Sequence, residues 1–125
     1  MNLIKNTFGK EEKLCSEKDI DNLYKSGTSF LIHPIVVYYL PMPDLKNTKV
    51  LVSVSKKKFK HAVDRNLLKR RLRESYRLNK SILEKKYQMA FVYVGNEILT
   101  YQQIEKSMVL VLERIAKEGL KMEGT

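Results

Sequence analysis

The sequence has one cysteine, Cys15, no tryptophan and only three prolines among its 125 residues. A single cysteine cannot form a disulfide within the chain, and it cannot supply the thiolates of a structural zinc site. Long apolar runs are also missing, since the longest, 35–40, falls far short of the ~20 residues of a membrane span. The amino-terminal segment carries acids where a secretion signal would be apolar. These absences predict a cytoplasmic protein.

Acidic residues are scarce in one part of the chain, and this scarcity decides where the net charge lies. The net charge is +10, from 24 basic and 14 acidic residues. Residues 56–80 hold 11 of the basic residues but only Asp64 and Glu74 among the acids, so this window carries +9 of the net charge. Such a concentration of positive charge predicts a polyanionic partner, with nucleic acid ahead of an anionic membrane surface.

Composition and length predict one folded domain. Hydrophobic residues make up 43% of the chain and charged residues 30%, which is usual for globular proteins. A chain of this size has room for a single hydrophobic core. We expect the domain to cover residues 1–120 and residues 121–125 to form a flexible tail.

Two helices are indicated in the first two thirds of the chain. Ser16 is a typical N-cap and Gly27 a typical left-handed terminator, which predicts a first helix over 16–26. A run without glycine, proline or β-branched residues predicts a second helix, from Asp64 as its N-cap to about Leu78.

A third helix and four strands complete the predicted fold. Thr100 and Gln103 form a capping box for a helix that ends near Gly119. Runs typical of strands lie at 29–32, 35–40, 49–55 and 87–94. The order α-β-β-β-α-β-α predicts an α+β fold, a two-layer sandwich of helices on a mostly antiparallel sheet.

The second helix has two distinct faces. At about 100° per residue, one arc of about 140° contains Arg65, Asn66, Lys69, Arg70, Arg73 and Arg77. The adjoining arc, which we expect to be buried, contains Leu68, Leu72, Ser75 and Tyr76. Basic side chains repel one another along several turns unless a polyanion neutralises them. Because arginine binds phosphate oxygens bidentately, the basic face predicts contact with a nucleic-acid backbone.

The central segment resembles a known signature. Its elements are Ser53-Val54-Ser55-Lys56-Lys57, Ala62-Val63-Asp64-Arg65-Asn66, Lys69-Arg70, and Arg73-Glu74 with Arg77. This pattern is similar to that of the protein subunit of bacterial ribonuclease P. The resemblance extends over nearly the whole chain, through Phe8, Lys10, Leu14, Tyr24 and Gly27.

The resemblance implies a small subunit that binds a catalytic RNA and helps it remove the 5′ leader of precursor transfer RNA. The implied partners are ribonuclease P RNA and precursor tRNA, with no membrane and no required protein partner. The chemistry would belong to the RNA and its bound Mg²⁺. The protein would act as part of a ribonucleoprotein endoribonuclease and would not cleave alone.

The resemblance also implies two groups of binding residues, none of them catalytic. The group implied to bind the catalytic RNA comprises Lys56, Arg65, Asn66, Lys69, Arg70, Arg73 and Arg77. The group implied to bind the single-stranded leader, in a cleft between the first helix and the sheet, comprises Phe8, Ile20, Tyr24, Tyr38 and Lys57. Tyr24 and Tyr38 suit base stacking, and they equally suit a core position with the hydroxyl at the surface.

Three positions depart from the family pattern. Leu67 replaces an arginine that often follows the Arg-Asn pair, so this RNA contact is missing or is supplied by Arg70 or Arg71. The loop 57–61 lacks the family's glycine and is longer and more basic. Ile20 stands where an aromatic residue is usual, which argues against stacking there.

Other functions remain open at this point. His33, His61 and Cys15 have no partners at catalytic or metal-ligand spacing, so no metal site and no catalytic residue are predicted. The strands also lack the paired carboxylates of a protein-only nuclease. The alternatives are a structural or ribosomal RNA-binding protein without a role in cleavage, and a basic helix that binds anionic membrane. The membrane alternative, which needs an apolar face of the second helix to contact lipid, fails if Leu68, Leu72 and Tyr76 are buried in the fold.

Overall fold

Three helices and one four-stranded sheet make up the fold. The structure is a computed structural model that describes residues 12–124, except for the side chains of 120–124. The elements are α1 (Glu17–Ser26), β1 (Thr28–Ile32), β2 (Ile35–Pro41), β3 (Lys49–Val54), α2 (Ala62–Asn79), β4 (Tyr87–Tyr93) and α3 (Tyr101–Gly124). A single turn of 3₁₀ helix, Lys80–Ile82, follows α2. The predicted element order and the α+β class are confirmed.

The sheet is mixed, with the strand order β1-β2-β4-β3. β1 pairs with β2 and β2 with β4 in the antiparallel direction, whereas β3 and β4 are parallel. The prediction of a mostly antiparallel sheet therefore describes two of the three pairings. The third is parallel because α2 carries the chain back along the sheet between β3 and β4.

The main core lies between one face of the sheet and the helices α2 and α3. As predicted, Leu68, Leu72, Ser75 and Tyr76 of α2 are all buried. Leu68, Leu72 and Tyr76 pack with the inward residues of the strands and with α3 residues such as Met108. The apolar face of α2 is thus used inside the fold and is not available to contact lipid, as the membrane alternative requires. No helix in the described part of the chain is long and apolar enough to cross a membrane.

The opposite face of the sheet carries α1 and a smaller cluster. Leu14, Leu23 and Ala90 are buried there, with half-buried apolar neighbours from β2 and β3 around them. Ala90 leaves room for Leu23 of α1 to approach the middle of β4 because its side chain is small. α1 is short, so part of this face is left uncovered.

The predicted caps of the first and third helices are confirmed. The Ser16 Oγ accepts a hydrogen bond from the Asp19 N–H at 3.3 Å. The Gln103 N–H donates to the Thr100 Oγ1 at 3.2 Å, and the Thr100 N–H donates to the Gln103 Oε1 at 3.0 Å. Both capping arrangements satisfy N–H groups that a helix leaves without partners in its first turn.

Two predicted helix boundaries are wrong. The N-cap of α2 is His61 and not Asp64, which lies in the first turn. The Asp64 N–H already donates to the His61 carbonyl, so the helix has begun before it. α3 runs to Gly124 instead of ending near Gly119. A Cβ at Gly119 would lie 2.9 Å from the Tyr87 hydroxyl, so this glycine allows close packing within a continuing helix.

Gly27 ends α1 in a different way from the one predicted. Its φ is −74°, in the extended region, and not left-handed. A Cβ at this position would stand 2.5 Å from the Leu23 carbonyl oxygen and 3.0 Å from the Tyr39 carbonyl oxygen. Glycine is required here because the chain passes between helix and sheet, and not because of its backbone conformation.

Replacing Gly27 with alanine is expected to lower the free energy of unfolding by about 1–3 kcal/mol, as overpacking does. The measurement is urea unfolding followed by circular dichroism. The matched control is Ser26→Ala at the neighbouring exposed residue, for which we expect a change within about 0.5 kcal/mol. Equal midpoints for the two variants would contradict the close approach at Gly27.

Candidate nucleic-acid interface

One side of α2 presents a continuous row of polar residues, which we call the basic strip. It consists of Arg65, Asn66, Lys69, Arg70, Arg73 and Arg77. Asn66 and Arg70 are exposed, and the other four are half-buried. The helical periodicity that buries Leu68 and Leu72 leaves these residues on the flank and outer side of the helix.

The carboxyl end of the basic strip is partly neutralised within the helix. The Arg77 Nε donates to the Glu74 Oε1 at 2.6 Å, and the Arg77 Nη2 donates to the Glu74 Oε2 at 3.1 Å. These hydrogen bonds lower the pKa of the Glu74 carboxyl below its ordinary value. Arg77 therefore offers a polyanion less unpaired charge than Arg70 does.

Arg65, at the amino end of the basic strip, has partners that the sequence did not indicate. Its Nη1 donates to the Phe59 carbonyl at 2.8 Å and to the Lys60 carbonyl at 2.9 Å. The side chain thus connects the first turns of α2 to the loop that precedes the helix.

Arg71 is turned away from the basic strip. It lies on the side of α2 toward the loop between β4 and α3, where its Nη1 donates to the Leu99 carbonyl. The Tyr93 hydroxyl holds the same loop, because it accepts a hydrogen bond from the Leu99 N–H at 3.2 Å. Of the two arginines that could replace the missing contact at Leu67, the exposed one is therefore Arg70.

Arg73 stands where α2, β3 and the amino-terminal segment meet. It lines a groove of about 180 Å³ together with Lys13, Leu14, Cys15 and the β3 residues 50–52. The Leu14 N–H donates to the Val50 carbonyl at 3.0 Å, which fixes this segment along the outer edge of β3. An ion pair of 2.8 Å between Glu12 and Lys80 ties the segment to the far end of α2.

The cleft beside α1 brings together three of the five residues implied to bind the leader. The rings of Tyr24 and Tyr38 meet edge to face, with centroids 4.7 Å apart. Tyr24 is 39% exposed, and burial of the rest raises the pKa of its hydroxyl. Ile20 is half-buried against the Leu14–Leu23 cluster. Lys57 is exposed in the loop after β3, and Phe8 lies outside the described residues.

A row of side chains across the same face extends this cleft. The strand register aligns one residue from each strand: Leu31, Val36, Val92 and Ser53. They share the face of Tyr38 and Ala90 because side chains alternate along each strand. Leu31 is 56% exposed, although it is a large apolar residue. We call these four residues the cleft row, and alternation within single strands did not reveal it because the register was unknown.

Metal ligands are not grouped in the described part of the chain. Between residues 12 and 124, no three or more His, Cys, Asp or Glu side chains are placed so that they could hold an ion. The buried side chains of the site are apolar and aromatic, and many of its exposed side chains are cationic. Such an arrangement can bind a polyanion and stack flat rings, as channels for single-stranded nucleic acid do.

Similar sequences point to one family. A family model described as Ribonuclease P matches residues 8–116. A ribonuclease P protein component of Porphyromonas gingivalis is 38% identical over 121 residues, covering 88% of each chain. One from Streptococcus pneumoniae is 39% identical over 114 residues, covering 88% of this chain and 90% of the relative.

Solved structures agree with the sequence comparison. The RNase P protein of Staphylococcus aureus matches with a TM-score of 0.73 and 30% identity, covering 85% of this chain and 95% of that one. The RNase P protein of Thermotoga maritima has the same fold, with a TM-score of 0.72, 23% identity, and coverage of 82% and 96%. This chain belongs to the ribonuclease P protein family, whose members serve the 5′ processing of transfer RNA.

Proposed function

We propose that the chain binds both ribonuclease P RNA and the 5′ leader of precursor transfer RNA, and that the RNA performs the cleavage. One observation carries this proposal: the basic strip and the aromatic cleft occupy separate surfaces of one small fold. Two surfaces of different chemistry allow two RNA segments to be held at the same time.

The basic strip supports binding of the catalytic RNA. From Asn66 to Arg77 the helix rises by roughly 17 Å at 1.5 Å per residue, a length that can meet several phosphates of one strand. Arg70 and Asn66 are exposed, and the buried face of the same helix is fixed in the core. Contacts to phosphates position RNA without reading its sequence, which suits a structured RNA partner.

The cleft supports binding of the single-stranded leader. Tyr24 and Tyr38 offer ring surface beside the cleft row, and the exposed Lys57 lies after the end of β3. Stacking of bases on aromatic residues tolerates any sequence. A leader that varies between transfer RNAs could therefore be held without base-specific hydrogen bonds.

Mg²⁺ would be held mainly by the RNA in this proposal. The chain contributes positive charge to the complex, +9 of it from residues 56–80. Basic residues that neutralise phosphates release bound counterions and reduce repulsion between RNA strands. The protein would therefore lower the Mg²⁺ concentration that the complex requires. The proposed location is the cytoplasm, where bacterial transfer RNA is processed.

The proposal is tested by multiple-turnover cleavage of a leader-bearing precursor transfer RNA. A bacterial ribonuclease P RNA is assayed at low Mg²⁺ with and without the protein, and the protein is also assayed alone. We expect cleavage only when RNA and protein are combined. Binding without stimulation would instead indicate a structural RNA-binding protein, and cleavage by the protein alone would refute the assignment of the chemistry to the RNA.

Replacing Tyr24 with alanine is expected to weaken binding of leader-bearing substrate by about 1–3 kcal/mol, the usual contribution of one stacked base. Binding of mature transfer RNA, which has no leader, should be unchanged. The measurement is equilibrium binding of both RNAs to the reconstituted complex. Tyr24→Phe keeps the ring and should behave as the wild type. Equal losses on both RNAs would show that Tyr24 has a structural role only.

A further inference from the structure

The loop 55–61, between β3 and α2, is closed by hydrogen bonds to one serine. The Ser55 Oγ accepts from the Lys57 N–H at 3.1 Å and from the Lys58 N–H at 3.4 Å. The Phe59 N–H donates to the Ser55 carbonyl at 3.1 Å. These three bonds define a compact turn, although the loop has no glycine.

Two side chains attach the loop to the end of β4 and to Val94, the residue after it. Phe59 is buried, and its ring lies 5.9 Å from that of Tyr93. The Lys58 Nζ donates to the Val94 carbonyl at 2.8 Å, so the ammonium group of this exposed lysine already has a protein acceptor. The other three lysines of the loop, Lys56, Lys57 and Lys60, are likewise exposed.

Arg65 attaches the loop to α2. One guanidinium nitrogen donates to two successive carbonyls, those of Phe59 at 2.8 Å and Lys60 at 2.9 Å. His61, the N-cap residue, makes no side-chain capping hydrogen bond. Arg65, which is half-buried, therefore supplies side-chain hydrogen bonds between loop and helix that the N-cap residue does not.

We propose that Arg65 is a positioning residue, which fixes the loop so that Lys56, Lys57 and Lys60 present a preorganised set of charges to RNA phosphates. This inference rests on the proposed function. It differs from the role that the resemblance implies, in which Arg65 itself contacts the RNA. Two hydrogens of its guanidinium already have protein acceptors, whereas the three lysines extend into solvent.

Fixing the loop before RNA binds would raise the affinity for RNA. Lysine side chains are flexible, and ordering them on binding costs free energy. A loop whose backbone is already fixed removes part of this cost, because only the side chains remain to be ordered. The effect of Arg65 on RNA affinity should therefore depend on the lysines being present.

A double-mutant cycle measures this dependence. The double change Lys56→Gln and Lys60→Gln, which leaves the leader-cleft residue Lys57 intact, is made in the wild type and in Arg65→Met, and binding to a bacterial ribonuclease P RNA is measured at several salt concentrations. We expect the double change to weaken binding about 10-fold or more in the wild type, with a salt slope lower by about two ions. In Arg65→Met we expect only a few-fold loss. If the fold-losses of affinity from the lysine changes and from Arg65→Met simply multiply, the positioning role is overturned.

Amide hydrogen exchange tests the loop without RNA. Arg65→Met should accelerate exchange of the Lys57 and Lys58 N–H groups, while the matched variant Arg70→Met, which changes an exposed arginine of the same helix, should not. Unchanged exchange in Arg65→Met overturns the proposal.

Arg65→Lys replaces the methionine variant in these tests if the methionine variant does not fold. Lysine keeps the positive charge, but its side chain is one bond shorter than that of arginine and does not reach the two carbonyls. A positioning role predicts that Arg65→Lys weakens RNA binding, and a purely ionic contact predicts that it does not.

The two proposals fail in distinguishable ways. If the wild-type chain does not bind the RNA, the proposed function fails, and the positioning role fails with it. If the wild type binds normally and the effects of Arg65 and the lysines are independent, only the positioning role of Arg65 fails.

Discussion

Introducing two negative charges on the basic strip, with Asn66→Glu and Arg70→Glu, is expected to weaken binding of ribonuclease P RNA about 100-fold at roughly 0.1 M salt. Both residues are exposed and lie one turn apart on α2, so the substitutions disturb no buried contact. The loss combines a removed phosphate contact with repulsion from two carboxylates. It should shrink as the salt concentration rises, because exposed charges are screened.

The matched control for this pair lies on α3. Gln102→Glu and Lys106→Glu make the same change of charge, at the same spacing, on an exposed helix surface. We expect at most a small, uniform loss of affinity from the lower net charge. Equal losses for the two pairs would show that RNA responds to the total charge of the protein and not to the basic strip.

Truncating Leu72 to alanine is expected to lower the free energy of unfolding by about 2–5 kcal/mol. Leu72 is fully buried between α2 and the sheet, so its removal leaves a cavity that neighbouring side chains fill only in part. For a small domain this is a large share of a total stability of about 5–15 kcal/mol. The measurement is the shift in the urea concentration at which half of the protein is unfolded, with the dependence of the unfolding free energy on urea unchanged.

Leu110→Ala is the control for the core variant. Leu110 is 46% exposed on α3, and we expect its truncation to change the free energy of unfolding by less than about 1 kcal/mol.

The RNA affinity of Leu72→Ala supplies a second measurement. At a temperature where Leu72→Ala is fully folded, its RNA affinity should equal that of the wild type, because the basic strip is unchanged. A lower affinity in the folded variant would show that packing beneath α2 also shapes the strip.

Periodicity was sufficient to predict both faces of α2. Leucines and tyrosine that recur at helical spacing define the buried side, and their burial leaves the arginines at the flank and in solvent. The prediction succeeded because a helix fixes the relative directions of its side chains locally. The capping residues Ser16 and Thr100 were predicted correctly for the same reason, since each contacts a residue three positions away.

Features that depend on distant parts of the chain were not predictable in this way. The cleft row requires the pairing register of four strands, which alternation within one strand does not supply. The roles of Gly27 and Gly119 depend on how closely each passes Tyr39 and Tyr87, which lie on strands of the sheet. The hydrogen bonds of Arg65 depend on the path of a loop whose sequence departs from the family pattern.

The position of β4 between β2 and β3 has a consequence for the order of folding. β2 and β3 are not neighbours, so the strands made first cannot form the finished sheet until β4 has been synthesised. α2 precedes β4 in the chain, and its leucines have no completed surface to pack on before that moment. During synthesis, α2 therefore exists for a time as an unsupported, highly basic segment. A chain that ends before Tyr87 would contain the whole basic strip and lack the strand that holds the sheet together beneath it.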